Sequence, residues 1–204
     1  MSWQRSRYAL RKQLKQALKA LIPAAIWNRL RPAPPAGAAF TGRIDPALLL
    51  DWQAARRNSS AAIRPDLPPG VNLVGYLSAA IGLGEAARGM LRGLRASDLP
   101  ISLVDFSHGV PREQRGLPLP ADLPRGFLHQ VNLIHLNPNH LSDLWAQSGP
   151  AGLLGRYNVG IWLWELPHLP AEWLPALPLF DEFWAPSRFI QAALQEHAAV
   201  PVHL

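Results

Sequence analysis

Val71-Asn72-Leu73-Val74-Gly75-Tyr76-Leu77-Ser78-Ala79-Ala80-Ile81-Gly82-Leu83-Gly84-Glu85-Ala86-Ala87-Arg88 runs from a short apolar segment, through a loop, into the glycine-marked start of a helix. Residues 71–76 are largely apolar on both faces, the texture of a strand buried on two sides, and 84–96 carries apolar residues at helical spacing. Working outward, further short apolar runs follow at 101–106, 131–136, 158–164, 182–185 and 200–204, with helix-like stretches at 139–147, 170–178 and 187–197. Pro175 and Pro178 weaken the helical pattern at 170–178. Such strands alternating with helices imply an α/β domain, a parallel sheet with helices on both faces. Residues 107–130 hold four prolines and read as a long irregular connection.

Charge divides the 204-residue chain unevenly. Residues 1–43 carry nine Arg/Lys and no acid, whereas 44–204 carry eleven basic and fourteen acidic groups. The net charge of +6 therefore belongs to an N-terminal arm. A mildly acidic body is not shaped to track phosphates of a nucleic acid, so no nucleic-acid partner is expected. The absence of cysteine excludes a disulfide scaffold, a cysteine nucleophile and thiolate metal sites. No uncharged apolar run approaches the ~18–20 residues of a membrane-spanning helix. The expected location is the cytoplasm.

Two segments make up the arm, taken as residues 1–44. Leu10, Leu14, Ala17, Leu18, Leu21 and Ile22 fall on one face of a helix over 3–22, and Arg7, Arg11, Lys12, Lys15 and Lys19 on the other. Such a helix suits either an anionic membrane surface or ordinary packing against the body. A Pro/Ala/Gly linker over 31–39 follows. Asp45-Pro46 then reads as an N-cap with proline at the first helical position, opening the domain over 45–204.

Ligands of open parallel sheets bind outside the carboxyl ends of the strands. The residues there are 82–84 after the first strand, Asp105 and His108 after the second, His135, Asn137 and His140 after the third, Trp164 and Glu165 after the fourth, and Ser187 and Arg188 after the fifth. Gly82, Leu83, Gly84 and Glu85 open a helix whose free N–H groups suit a phosphate. Gly82, Gly84 and Ala87 also satisfy G-x-G-x-x-A, with Asp105 eighteen residues beyond Ala87. That is the pattern of a dinucleotide site, although the first glycine stands six residues beyond Gly75 rather than directly at the strand's end. Glu165 is the candidate acid/base group or hydroxyl ligand. Trp162, Trp164, Trp173 and Trp184 suit stacking on a sugar or packing in the core. The histidines lack metal-ligand spacing, and no D-x-D, H-E-x-x-H or Walker loop occurs, so no metal and no cofactor is expected.

Gly75-Tyr76-Leu77 with Gly82-Leu83-Gly84-Glu85-Ala86-Ala87-Arg88 resembles the first strand and glycine loop of bacterial GT-B glycosyltransferases of the family 4 type. So does Asn158-Val159-Gly160-Ile161-Trp162-Leu163-Trp164-Glu165-Leu166-Pro167, continued by Trp173 and by Asp181-Glu182-Phe183-Trp184-Ala185-Pro186-Ser187-Arg188-Phe189. The likeness spans about 68–204 and leaves out the arm. It implies a Rossmann-like N-terminal, acceptor-side domain of a peripheral membrane or cytoplasmic enzyme of polysaccharide biosynthesis. Such an enzyme moves a sugar from a nucleotide-diphosphate donor to a carbohydrate or lipid-linked acceptor. The glycine loop would approach the donor phosphates. Many relatives carry a histidine where this chain departs from them with Glu165, the group read here as catalytic, and Asn137, Trp164, Ser187 and Arg188 would contact acceptor or sugar. The family's paired glutamates and second Rossmann-like domain do not occur, and the sequence stops within a strand-like run; the chain is therefore expected to be one half of such an enzyme and inactive alone. Two alternatives stand beside it, a dinucleotide-binding oxidoreductase half and a non-catalytic membrane-associated module. If the arm serves a membrane, the purified chain should co-sediment with anionic liposomes at low salt and be released by ~0.5 M salt, and no sedimentation at low salt would remove that role.

Overall fold

In the computed structural model, which describes residues 43–59, 63–107 and 110–204, helix α1 (Pro46–Asn58) precedes six strands. These are β1 (Val71–Gly75), β2 (Ile101–Asp105), β3 (Val131–Ile134), β4 (Tyr157–Gly160), β5 (Glu182–Trp184) and β6 (Val202–His203). Helix α2 (Gly82–Leu94) joins β1 to β2, α3 (Leu141–Leu153) joins β3 to β4, and α4 (Arg188–Gln195) joins β5 to β6. A 3₁₀ segment, Ala171–Leu179, joins β4 to β5, where Pro175 and Pro178 deny the backbone an α-helical ladder. The expected basic helix over 3–22, the linker over 31–39 and His108 lie outside the described residues.

All strands pair in parallel, in the order β2-β1-β3-β4-β5-β6, so the domain is α/β and Rossmann-like. The chain steps one way from β1 to β2, then crosses back over β1 and continues the other way through β3 to β6. Right-handed crossovers in opposite directions place their connections on opposite faces. Ala87 and Leu91 of α2 accordingly pack on Val71, Leu73, Ile101, Leu103, Leu133 and Val159. The other face carries α1, α3, Ala171–Leu179 and α4, packed on Val74, Ile134, Trp162 and Phe183. Trp52 of α1 stacks on Trp145 of α3, ring centroids 5.5 Å apart and ring planes nearly parallel. Asp45 caps α1 by accepting from Ala47 N at 2.9 Å, as the Asp-Pro pair implies. The proline-rich connection lies along the free edge of β2, with Leu103 N donating to Pro124 O and Gly126 N donating to Leu103 O, each at 2.9 Å. That coverage protects an edge that would otherwise invite strand addition.

One strand is shorter than its apolar run. β4 ends at Gly160 rather than Trp164, because β3 ends at Ile134 and turns into the 3₁₀ segment Pro138–His140, leaving no ladder to extend. Asn137 replaces it: its side chain donates to Leu163 O and accepts from Leu163 N, both at 2.9 Å. Trp162 stays in the core without belonging to the strand, fully buried against Phe183 at 4.8 Å between centroids.

A polar chain crosses the apolar sheet. Ser102, Asn72, Asn132 and Asn158 occupy the same register position of β2, β1, β3 and β4, and each is 0% exposed. Ser102 Oγ donates to Asn72 Oδ1 (2.7 Å), Asn72 Nδ2 to Asn132 Oδ1 (2.7 Å), and Asn132 Nδ2 to Asn158 Oδ1 (2.8 Å). Asn72 Oδ1 also accepts from Leu128 N and His129 N at 2.8 Å. Among the described residues no helix is long and apolar enough to cross a membrane. Replacing Asn72 with Ala should lower unfolding stability by about 3 kcal/mol, since it orphans several buried donors and acceptors at once. In urea denaturation the Asn72→Ala and Asn132→Ala losses should sum to more than the double variant's loss; strict additivity would show that the two amides act independently.

Candidate functional site

Because every strand is parallel, the loops after β1 to β5 leave the sheet at one edge, and the reversal of strand order falls between β1 and β3. At that switch point two neighbouring connections diverge to opposite faces and open a crevice. The glycine loop sits there. Ile81 precedes α2 in an extended conformation and makes no side-chain cap. Gly82, Leu83 and Gly84 lie in the turn whose N–H groups have no intrahelical acceptor, and Glu85 N is the first to bond, to Ile81 O at 2.9 Å. An uncapped N-terminus of this kind presents free donors and the positive end of the helix dipole.

The two glycines have different reasons to be glycine. A Cβ on Gly84 would stand 2.4 Å from Ala79 O and 2.6 Å from Tyr76 O, so the close approach of the loop to the helix requires a bare backbone. A Cβ on Gly82 would meet nothing within 4 Å. Gly84 therefore packs the loop, whereas Gly82 faces open space.

Several polar side chains at this edge are already engaged. The Asp105 carboxylate accepts from Ser78 N (3.1 Å), Ser78 Oγ (2.5 Å), Ser107 N (3.2 Å) and Ser107 Oγ (2.5 Å), clamping the β1 loop to the β2 loop. With its oxygens committed in this way it is poorly placed to hold a ribose, which weighs against the dinucleotide alternative. Arg88 Nη1 donates to Leu77 O (3.2 Å) and Ala79 O (2.7 Å), bracing the same loop from below. Glu85 turns its carboxylate along the outside of α2 to Arg88 and Arg92. Those guanidiniums, Arg92 foremost, hold the Glu85 carboxyl below its usual range.

At the other strand ends, Asn137 forms the amide staple to Leu163 and is committed to structure. Trp164 is half-buried, donates Nε1 to His168 O at 2.8 Å, and rests on Trp173 with centroids 4.5 Å apart. Ser187 caps α4 by accepting from Ile190 N at 3.3 Å. Arg188 and Glu165 are exposed. Glu165 thus lies five residues beyond the end of β4, in an exposed loop rather than at the strand's mouth.

Two features gain weight from the structure. The first is His135, at the end of β3 beside Gly75, 3% exposed with Nδ1 buried and unpartnered. Burial pushes the imidazoles of His135 and His140 below their ordinary range. The second is a cleft of about 480 Å³ between α1 and the 3₁₀ segments, lined by Leu49, Leu50, Asn139, Glu172 and Trp173 among others. Trp173 is the aromatic of the cluster that lines a cavity; nothing in its sequence context separates it from its core neighbours. Among the described residues no group of three or more His, Asp or Glu could hold a metal ion.

No protein-family model, no curated protein and no solved structure matches the chain.

The glycine geometry yields a sharp contrast. Gly84→Ala should destabilise the fold by about 1–3 kcal/mol through overpacking, while Gly82→Ala should stay within about 0.5 kcal/mol of wild type. Thermal or urea unfolding of the pair decides it, and equal effects would mean that the loop does not approach α2 as described.

Proposed function

We propose that the chain is the acceptor-side domain of a GT-B-type glycosyltransferase, transferring a sugar from a nucleotide-diphosphate donor to a carbohydrate or lipid-linked acceptor. The observation that carries this reading is the uncapped, glycine-opened N-terminus of α2 at the switch point of a parallel sheet. A diphosphate placed there would receive N–H donors from Gly82, Leu83 and Gly84 together with the helix dipole. No side chain need supply charge at that point, which suits the commitment of Glu85, Arg88 and Asp105 elsewhere.

The other roles follow from which groups remain available. Glu165, exposed on the loop after β4, would carry the acid/base or hydroxyl-binding role. Arg188, exposed in the first turn of α4, would add positive charge toward the donor. The cleft beside Trp173 offers an aromatic and apolar wall with Asn139 and Glu172 as polar partners, a composition suited to a glycan or its lipid carrier. Asn137, Trp164 and Ser187 would act through position, holding the loops that carry those groups. The basic arm would keep the enzyme at an anionic inner membrane face, where lipid-linked acceptors reside.

The test separates folding from binding. Gly82→Asp adds a carboxylate at a position where a Cβ meets nothing within 4 Å and where the helix dipole favours negative charge, so stability should hold. The same charge should repel a diphosphate. Calorimetric titration with uridine diphosphate should show saturable binding by the wild-type chain, weakened at least about tenfold in Gly82→Asp. In amide NMR the perturbed resonances should include 82–84. Tight NAD binding without diphosphate binding would favour the oxidoreductase reading instead.

A further inference from the structure

The opposite edge of the sheet, where the strands begin, holds a cleft of about 400 Å³ lined by Arg56, Arg57, Arg156, Ser59, Gly155 and Asp181 among others. Its charges do not balance. Asp181 is the one carboxylate among those lining residues, and it is occupied: it pairs with Arg56 and accepts from Asn158 N at 2.7 Å. That leaves Arg57 and Arg156. Arg156 is 6% exposed, and its guanidinium donates to His129 O (2.9 Å), Ala151 O (2.5 Å) and Phe127 O (2.8 Å). Carbonyls satisfy three of its five N–H donors but cancel none of its charge. Arginine keeps that charge in proteins, and although the guanidinium also stands over the Phe127 ring, 5.9 Å from its centroid, no carboxylate pairs with it among the described residues. Burial and the neighbouring Arg64 both act against its charged form, and Asp66, which favours it, already pairs with Arg64.

We propose that this cleft is an anion site for a soluble phosphate-bearing ligand, held between the guanidiniums of Arg57 and Arg156. Arg57 stands in the last turn of α1, exposed and reaching no carboxylate among the described residues, while Arg156 forms the buried floor. The planar fork of Arg57 matches the oxygens of a phosphate, and Arg156 keeps the two N–H donors that its carbonyl partners do not take. Ser59 and Gly155 stand at the rim, where the Ser59 hydroxyl donates to Arg56 O at 2.9 Å and Arg64 lies against Gly155. The cleft volume suits a ligand of metabolite size. The site lies at the amino ends of β4 and β5, away from the glycine loop, and does not depend on what that loop binds.

The experiment is NMR titration of the full chain with inorganic phosphate at constant ionic strength, following the Arg156 Nε–H and Gly155 amide resonances. Saturable shifts are expected at both, with affinity falling tenfold or more in Arg57→Gln. The Gly82→Asp chain should bind phosphate here as the wild type does. Because Arg57 is exposed, its variant should melt at the wild-type temperature in the absence of phosphate. Linear, unsaturated shifts, or equal affinity in Arg57→Gln, would overturn the proposal. Loss of the shifts in Gly82→Asp would also overturn it, by moving the site to the other edge.

Discussion

The domain is held in register by a line of side-chain amides. Parallel strands that are apolar on both faces have little to tell one register from another, since a slip by two residues exchanges one aliphatic side chain for the next. Ser102, Asn72, Asn132 and Asn158 remove that ambiguity, because a buried amide has one depth at which its donor and acceptor both find partners. The chain of bonds continues past the sheet, from Asn158 Nδ2 to Leu153 O and from Asn158 N to Asp181, which in turn holds Arg56 of α1. A single polar layer thus couples four strands, the end of α3 and the end of α1.

With the strands fixed in register near their amino ends, their carboxyl ends become a defined rim. Gly75 aligns with Asp105 across the β1–β2 pair, so the loops that follow begin level with one another. The Ser78–Asp105–Ser107 clamp and the Arg88 brace then set the height of the glycine loop, and the missing side chain of Gly84 lets it lie against α2. Removal of any of these would leave the sheet formed but the rim uneven. Position at the α2 N-terminus is therefore a consequence of packing three elements away, and the first-turn amides are held without any side chain of their own.

Much of this was legible in the chain. Apolar runs between helical patterns indicate the parallel sheet, and the Asp45-Pro46 start of α1 follows directly from capping chemistry, whereas Ser187, expected to contact sugar, instead caps α4. The amide line is legible too: Val-Asn-Leu-Val, Val-Asn-Leu-Ile and Tyr-Asn-Val-Gly place Asn second in three apolar strands, each too buried to tolerate an unpaired amide. β4 was read too long because apolar character continues through Trp162, and sequence does not reveal when the neighbouring strand stops. The site was harder for a related reason. A polar residue at a strand end is visible in sequence, but whether its partners lie within the protein is not. Asp105, Arg88 and Asn137 look like ligand contacts until Ser78, Ala79 and Leu163 are seen to occupy them.

That distinction is a physical filter on which groups remain for chemistry. Folding favours structures in which buried donors and acceptors meet each other, so a group left unmatched is either exposed to water or matched by something from outside. Applied along the carboxyl rim, the filter removes Asp105, Arg88, Glu85 and Asn137 and leaves the amides of 82–84, exposed Glu165 and Arg188, and the buried Nδ1 of His135. Applied along the amino rim, it removes Arg56 and Asp181 and leaves Arg57, with Arg156 matched in three of its donors by carbonyls but paired with no carboxylate among the described residues. The two rims differ in kind. Helix N-termini and backbone donors gather at one, whereas helix C-termini gather at the other, where Arg56 and Arg57 stand in the last turn of α1 and Arg156, just past α3, donates to Ala151 O. An anion at the first rim would be held by dipoles, and one at the second by formal charge. The first kind of site suits a group that must be released after reaction, because it binds without a fixed counter-charge. The second suits a ligand that stays.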